Sequence, residues 1–186
     1  SRGLGDVYKR QGYIHNLQNR VRDQRENLRD AHSRLEAIAV RDDLTGLYNR
    51  RHFLERLEEE LSLANRNHTP LYLAIIDLDH FKRVNDNYGH HSGDEVLSRF
   101  ARIASQGLRK SDLLARYGGE EFVVLFPHAT EAACEAALER LRRRFAEQGY
   151  SFASDIKTTF SAGLTAFQPG ETADQLIKRA DSALYE

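Results

Sequence analysis

Residues 71–78 read LYLAIIDL, a run with only one charged side chain. Its apolar side chains fall on both faces of an extended chain, and Pro70 and a polar run bound it, which predicts a buried central strand. Such a strand has room for carboxylates only at its end. Asp77 and Asp79 lie there at the two-residue period that puts them on one face. The stretch therefore predicts a strand that carries acidic side chains to one edge of a sheet.

The other elements follow from hydrophobic periodicity and from turn chemistry. Apolar residues at helical spacing predict helices over residues 53–67, 93–106, 132–148 and 172–186. Short apolar runs predict strands over residues 113–117, 121–126 and 158–167. A Gly-Gly turn separates the first two of these runs, which is typical of a β-hairpin. Helices that alternate with strands predict an α/β fold with a mixed or antiparallel sheet.

Length and composition exclude several classes of protein. The chain has 186 residues, a net charge of −1 and 40% hydrophobic residues, which fits one domain with an appendage. Neither a disordered tail nor a polybasic nucleic-acid binder has this composition. No stretch approaches the ~20 apolar residues of a membrane helix. We therefore expect a cytoplasmic domain, on the cytosolic face if the full-length protein is anchored in a membrane.

The single cysteine, Cys134, has no second cysteine to pair with. It cannot form an internal disulfide or build a thiolate metal cluster. Its neighbours are apolar and supply no activating base, so the sequence predicts a small buried helix residue.

The first 41 residues differ from the rest. Residues 1–11 have no apolar period and resemble translated sequencing-adapter sequence, so we expect no structure or function there. Residues 12–41 carry a seam at alternating steps of three and four: Ile14, Leu17, Val21, Gln24, Leu28, Ala31, Leu35 and Ile38. This seam predicts a coiled-coil signalling helix that forms a homodimer, with a lone amphipathic helix packed on its own domain as the alternative. The segment up to residue 41 has nine basic and five acidic residues, so the remainder is acidic, which argues against nucleic acid as its ligand.

A second acidic cluster follows the predicted hairpin turn at Gly118-Gly119-Glu120-Glu121. Glycines permit a tight turn and place the two carboxylates at its exit. If the hairpin pairs beside the central strand, at least three carboxylates converge. Two like charges ~4 Å apart repel by roughly 4 kcal/mol at an effective dielectric near 20. Such a cluster needs protons, basic neighbours or a cation, and hard oxygen ligands favour Mg²⁺. Each cluster taken alone also fits solvated acids at a strand end.

The residues between the two clusters could bind a nucleotide. Backbone N–H groups after a strand, with Lys82 beside them, suit a polyphosphate. Asn85 and Asp94 offer the amide and the carboxylate that a guanine edge could use, although both could instead cap helices. Metal carboxylates, a phosphate loop and a base reader together describe nucleotidyl transfer.

Three motifs carry a family resemblance. Residues 43–51 (DLTGLYNRR), 77–86 (DLDHFKRVND) and 117–122 (YGGEEF) closely resemble the GGDEF domain of bacterial diguanylate cyclases. The resemblance covers residues 42–186, with Glu120 in place of the signature aspartate. It implies a palm-like sheet, ferredoxin-like and of the nucleotidyl cyclase type, flanked by helices and preceded by the coiled-coil helix. It also implies that two GTP molecules, one on each of two facing domains, condense into cyclic di-GMP with release of two pyrophosphates. A catalytically weak cyclic di-GMP receptor or signalling module is the alternative.

The resemblance also implies a role for each matching residue. Mg²⁺, or Mn²⁺, would be held by Asp77, Glu120 and the backbone carbonyl of Leu78. Glu120 and Glu121 would be the catalytic acids. The phosphates would be contacted by Phe81 and Lys82. The guanine would be contacted by Asn85, His90 and Asp94.

Two further implications concern regulation and the ends of the chain. Arg109 and Asp112 match the RxxD inhibitory site, where they would clamp the product, although a surface ion pair before a strand is the alternative. The chain begins at Ser1 and contains no methionine, which predicts a fragment of a longer protein with a missing upstream sensor domain. In the family, the last helix continues past the tyrosine that matches Tyr185 and supplies a lysine and an arginine to the triphosphate. We therefore expect a chain that stops at Glu186 to bind GTP weakly and turn it over slowly.

Overall fold

The chain is described by a computed structural model over residues 15, 17–31, 40–153 and 156–185. It divides into two compact units, the first ending at Ala39 and the second beginning at Val40. No helix in the described ranges combines the length and the apolar character that crossing a membrane requires.

The first unit contains a helix, α1, over residues 17–31. Arg22 and Glu26 form an ion pair one turn apart along it, at 3.3 Å. Residues of the predicted seam are 41–73% exposed on the isolated chain: Leu17, Val21 and Leu28. Other members of the seam lie outside the described residues: Ile14, Leu35 and Ile38. The coiled coil therefore stays a prediction.

The second unit is built on an antiparallel sheet that has four strands in the described residues. The strands are β1 (Leu71–Leu78), β2 (Leu113–Arg116), β3 (Glu121–Pro127) and β4 (Phe160–Ala166). They lie in the order β2-β3-β1-β4, and every pairing is antiparallel. With helices between β1 and β2 and between β3 and β4, this is the ferredoxin-like arrangement. The predicted fold class is confirmed, and the sheet is antiparallel rather than mixed.

The helices that follow α1 pack on the two faces of this sheet. They are α2 (Arg50–Asn67), α3 (Phe81–Tyr88), α4 (His90–Gly107), α5 (Glu131–Ala146) and α6 (Ala173–Leu184). Side-chain caps fix the start of α2, where Asn49 accepts from the His52 N–H, and of α6, where Thr172 and Gln175 form a capping box.

The structure corrects the predicted start of the helix at residue 93. Helix α4 begins at His90, and residues 81–88 already form α3, so the stretch we expected to be a phosphate loop is helical. Gly89 ends one helix and starts the next with a φ of 84°, a value that glycine adopts without strain. Only Phe81 and Val84 of α3 are buried. With so few apolar positions, α3 shows almost no hydrophobic periodicity in the sequence.

Strand β1 separates the core into two layers. Ala74 and Ile76 face the layer formed with α4 and α5, whereas Leu73 and Ile75 face the layer formed with α2 and α6. In the first layer, the Phe100 ring lies 4.5 Å from that of Phe122, centroid to centroid. By the same alternation, Asp77 shares its face of the sheet with Leu73 and Ile75.

Gly163 on β4 allows α6 to pack directly on the sheet. A Cβ atom at this position would lie 2.2 Å from the Ala180 carbonyl oxygen and 2.5 Å from the Leu184 nitrogen. Because Gly163 pairs with Ile75, the C-terminal end of α6 lies close to the acidic end of β1.

We expect Gly163→Ala to lower the free energy of unfolding by about 1–3 kcal/mol, because the added methyl group forces α6 away from β4. Urea denaturation followed by circular dichroism measures this change. Gly149→Ala is the matched control, since a Cβ there meets nothing within 4 Å. Equal stability of the two variants would show that α6 does not pack as described.

Candidate functional site

The acidic residues of the two predicted clusters meet where β1 pairs with β3. Asp77 lies directly opposite Glu121 in the antiparallel register. The Leu78 N–H donates to the Glu120 carbonyl at 3.3 Å, which extends the pairing by one residue into the turn. The structure thus brings Asp77, Leu78, Glu120 and Glu121 together at one edge of the sheet.

A tight turn between β2 and β3 holds the two glutamates. The N–H groups of Tyr117 and Gly118 both donate to the Glu121 carbonyl, at 2.8 and 3.2 Å. A Cβ at Gly118 would lie 2.5 Å from a carboxylate oxygen of Glu121, so this side chain folds back over the glycine. The first glycine of the turn therefore makes the room that Glu121 occupies.

Arg116 holds this turn through hydrogen bonds to its backbone. The sequence motifs did not indicate this role. Its guanidinium donates to the Gly118 carbonyl at 3.2 Å and to the Gly119 carbonyl at 2.8 Å. It also contacts both carboxylate oxygens of Asp42 at 3.2 Å. An arginine is suited to this position because its planar fork can bind several acceptors at once.

Asp42 lies near the start of the second unit, which begins at Val40. Its carboxylate accepts from the backbone N–H and the hydroxyl of Thr45, at 2.9 and 2.6 Å. Burial opposes the charge of Asp42, but the Thr45 hydrogen bonds and Arg116 outweigh it and hold the pKa below its ordinary value. Arg50 of the same segment stacks on the Tyr117 ring, 4.5 Å from its centroid. The residues just after the first unit are therefore bound to the turn that carries Glu120.

The convergence of acids perturbs Asp77. Burial first, and then the charges of Glu120, Glu121 and Asp79, raise the pKa of Asp77 from 3.8 to about 6. In the described part of the chain, no group of three or more His, Cys, Asp or Glu side chains is arranged to hold a metal ion alone. Two carboxylates and a carbonyl are nevertheless the hard oxygen donors that Mg²⁺ prefers, and it commonly completes its shell with water and substrate phosphates. The donor set fits such an ion.

Asp79 has a different environment from Asp77. Strand β1 ends at Leu78, and the Asp79 carboxylate accepts from the hydroxyls of Thr159 and Ser161, at 2.6 and 2.8 Å. Its backbone N–H donates to the Thr159 carbonyl at 2.9 Å. Asp79 therefore ties the end of β1 to β4 while adding its charge to the field at Asp77.

The predicted nucleotide-binding residues lie on α3 and α4. Lys82, His90 and Asp94 are exposed, whereas the Phe81 side chain is buried in the core, so only its backbone could meet a phosphate. Asn85 lies inside α3 and Asp94 inside α4, and the N-cap of α4 is Gly89. The alternative that Asn85 and Asp94 are helix caps is therefore wrong.

Arg109 and Asp112 lie before β2, at the opposite end of that strand from the Gly-Gly turn. The Arg109 N–H donates to the Asp112 carboxylate at 2.8 Å, and the Asp112 N–H donates to the Arg109 carbonyl at 3.1 Å. Both residues line a cavity of about 160 Å³, together with Cys134 and Arg140. Burial raises the pKa of Asp112 and raises that of the Cys134 thiol to about 11, so the thiol stays protonated.

The fold and this site together define a palm-like domain of the nucleotidyl cyclase type. Residues 39–186 match the family model described as "Diguanylate cyclase, GGDEF domain". The chain belongs to this family.

Comparison with known proteins supports the same assignment. The chain is 43% identical over 178 residues to the diguanylate cyclase DgcP of Pseudomonas aeruginosa, covering 94% of this chain and 26% of DgcP. It is 39% identical over 153 residues to the response regulator PleD of Caulobacter vibrioides, covering 80% of this chain and 34% of PleD. The chain thus spans about a quarter to a third of these relatives.

A solved structure is similar to most of the chain. The coiled coil and GGDEF domain of DgcB from Caulobacter crescentus, in complex with c-di-GMP, is similar to this chain with a TM-score of 0.76. The identity is 31%, and the match covers 91% of this chain and 92% of that one.

We expect Asp77→Asn to make the metal-free domain more stable above pH 6. The pKa of Asp77 is raised from 3.8 to about 6 on folding, so the folded state binds more protons between these values. The free energy of unfolding therefore falls as pH rises through this window, and it stays lowered above it. Asparagine has no carboxyl group to titrate, so the Asp77→Asn variant does not lose this free energy of unfolding. Urea denaturation in EDTA across the window measures it.

Asp86→Asn, on the exposed side of α3, is the control and should keep the pH dependence of the wild type. A wild-type stability that is flat over the same window would contradict the electrostatic account of Asp77.

Proposed function

We propose that this domain condenses two GTP molecules into cyclic di-GMP and releases two pyrophosphates. The observation that carries the proposal is the meeting of Asp77, Glu120 and Glu121 at the β1–β3 edge, beside helices that present Lys82, Asn85 and Asp94. Family membership and relatives named diguanylate cyclase support it. Since GTP is a nucleotide of the cytoplasm, the proposal places the domain there.

The carboxylates would hold the ion and move the proton. Asp77, Glu120 and the Leu78 carbonyl would hold Mg²⁺, or Mn²⁺. When bound, the cation stabilises the charge that develops on the leaving pyrophosphate. Glu121 lies opposite Asp77 and is only half-buried, so it can accept the proton of the attacking 3′-hydroxyl. Lys82 would add a positive charge beside the phosphates.

The guanine would be read by Asn85 and Asp94, with His90 beside them. Neither side chain serves as a helix cap, and the Asp94 side chain is exposed. A carboxylate can accept from both N1–H and the exocyclic amine of guanine, and an amide can add a further hydrogen bond. Adenine has no N1–H and no 2-amino group, so these contacts would favour GTP over ATP.

Each domain would supply one half of the reaction, so activity requires two copies. The exposed Leu17, Val21 and Leu28 on α1 suit a coiled-coil homodimer, and the DgcB structure named above carries a coiled coil on its GGDEF domain. We propose that this helix passes a signal from an upstream sensor. Arg116 and Arg50 support this role, because they connect the residues after residue 39 to the turn that holds Glu120.

Product inhibition would act through Arg109 and Asp112. Their cavity lies at the opposite end of β2 from Glu120 and Glu121, and Arg140 also lines it, which would add a positive charge for an anionic nucleotide. The DgcB GGDEF structures contain c-di-GMP, which supports a product-binding role for this kind of domain.

We expect Glu120→Gln to reduce cyclic di-GMP synthesis from GTP and Mg²⁺ by at least about a hundredfold, because it removes a charged metal ligand. Liquid chromatography of the products measures the rate. Glu58→Gln, exposed on α2, is the matched control and should be as active as the wild type. Unchanged synthesis by Glu120→Gln would contradict the metal assignment. A wild type that binds cyclic di-GMP but makes none would instead favour the receptor.

We expect Arg109→Ala to relieve product inhibition, because it removes the cation that would hold a phosphate of cyclic di-GMP. Initial rates against added cyclic di-GMP should show an inhibition constant raised at least about tenfold. Lys110→Ala, the exposed neighbour, should leave the constant as it is. Equal inhibition of Arg109→Ala and the wild type would show that the product binds elsewhere.

A further inference from the structure

Asn85 contains a buried polar atom that has no partner. Its side-chain oxygen Oδ1 is inaccessible to solvent and accepts no hydrogen bond within the described residues. An unpaired buried acceptor costs about 1–3 kcal/mol, and folded proteins rarely keep one without a functional reason. This atom belongs to a side chain that the proposed function assigns to base recognition.

Gly93, in the first turn of α4, is what allows Asn85 to lie there. A Cβ at Gly93 would lie 2.0 Å from Oδ1 and 3.0 Å from Cγ of Asn85, and 3.1 Å from Cζ of Phe81. Real Cβ atoms do not approach an oxygen this closely, so any other residue at 93 would displace the amide. Glycine inside a helix costs about 1 kcal/mol relative to alanine. The sequence thus accepts a weaker helix at the one place where the amide needs the room.

Gly93 also immediately precedes Asp94. Gly93 leaves room for the Asn85 amide, and the next residue on α4, Asp94, carries the carboxylate. Asn85 itself lies on α3 and packs against Gly93. This contact sets the position of the two base-reading side chains relative to each other.

We propose that Gly93 is a positioning residue for guanine recognition, acting through Asn85. It leaves the room over the α4 backbone in which the Asn85 amide lies with its oxygen unpaired, and in this position the oxygen would accept a hydrogen bond from a nucleotide donor. The 2-amino group of guanine is such a donor, and hypoxanthine lacks it. The inference rests on the proposed function and goes beyond it by assigning guanine discrimination to a residue without a side chain.

The test is equilibrium binding of 3′-deoxy-GTP and 3′-deoxy-ITP, which lack the reacting hydroxyl, measured by calorimetry with Mg²⁺. We expect Gly93→Ala to raise the Kd for 3′-deoxy-GTP about tenfold and to change the Kd for 3′-deoxy-ITP much less. In the Asn85→Ala background the same substitution should have no further effect, because the displaced group is gone. Gly107→Ala, in the same helix, is the control, since a Cβ there meets only Arg144 Nη1 at 3.6 Å.

Thermal unfolding of the same variants keeps the inference testable if Gly93→Ala folds poorly. Removing the Asn85 amide should then restore the melting temperature in Asn85→Ala/Gly93→Ala. Equal weakening of both nucleotides, or a full additional loss in the Asn85→Ala background, would overturn the role of Gly93. A wild type that prefers 3′-deoxy-GTP, with Gly93→Ala unchanged, overturns this inference alone. A wild type that binds neither nucleotide contradicts both this inference and the proposed function.

Discussion

Backbone pairing between β1 and β3 places Asp77 opposite Glu121, and it brings Glu120 alongside Leu78. A shift of one residue in this register would turn every side chain of β1 to the other face and separate the carboxylates. The apolar residues on both faces of β1 prevent such a shift, because the two core layers have different partners. The same packing that stabilises the sheet therefore brings acidic side chains together at its edge, where burial and then the neighbouring charges raise the pKa of Asp77.

Arg116 holds the turn that carries Glu120 and Glu121. Its guanidinium binds the carbonyls of the Gly-Gly turn and the carboxylate of Asp42. These hydrogen bonds hold the turn in place. Glu120 and Glu121 are not among the residues that Arg116 contacts in the described part of the chain. This arrangement leaves the neutralisation of the edge to protons or to a bound cation, which is what a metal-dependent site requires.

The sequence predicted the elements whose patterns are local. The two-faced apolar run of β1 and the Gly-Gly hairpin are confirmed, and the convergence of Asp77 with the two glutamates follows from them. Helix α3 was missed because only Phe81 and Val84 are buried along it. Arg116 and the Asn85–Gly93 contact could not be found from spacing, because they depend on how separate elements pack. The capping alternative for Asn85 was decided only by where α3 and α4 begin.

We propose that folding brings together carboxylates that bind a divalent cation. The most direct measurement is the melting temperature of the wild-type domain as Mg²⁺ is added, compared with NaCl at the same ionic strength. We predict a larger rise with Mg²⁺, because a ligand that binds only the folded state stabilises it, and a smaller rise for Asp77→Asn. Equal effects of the two salts on the wild type would contradict the claim.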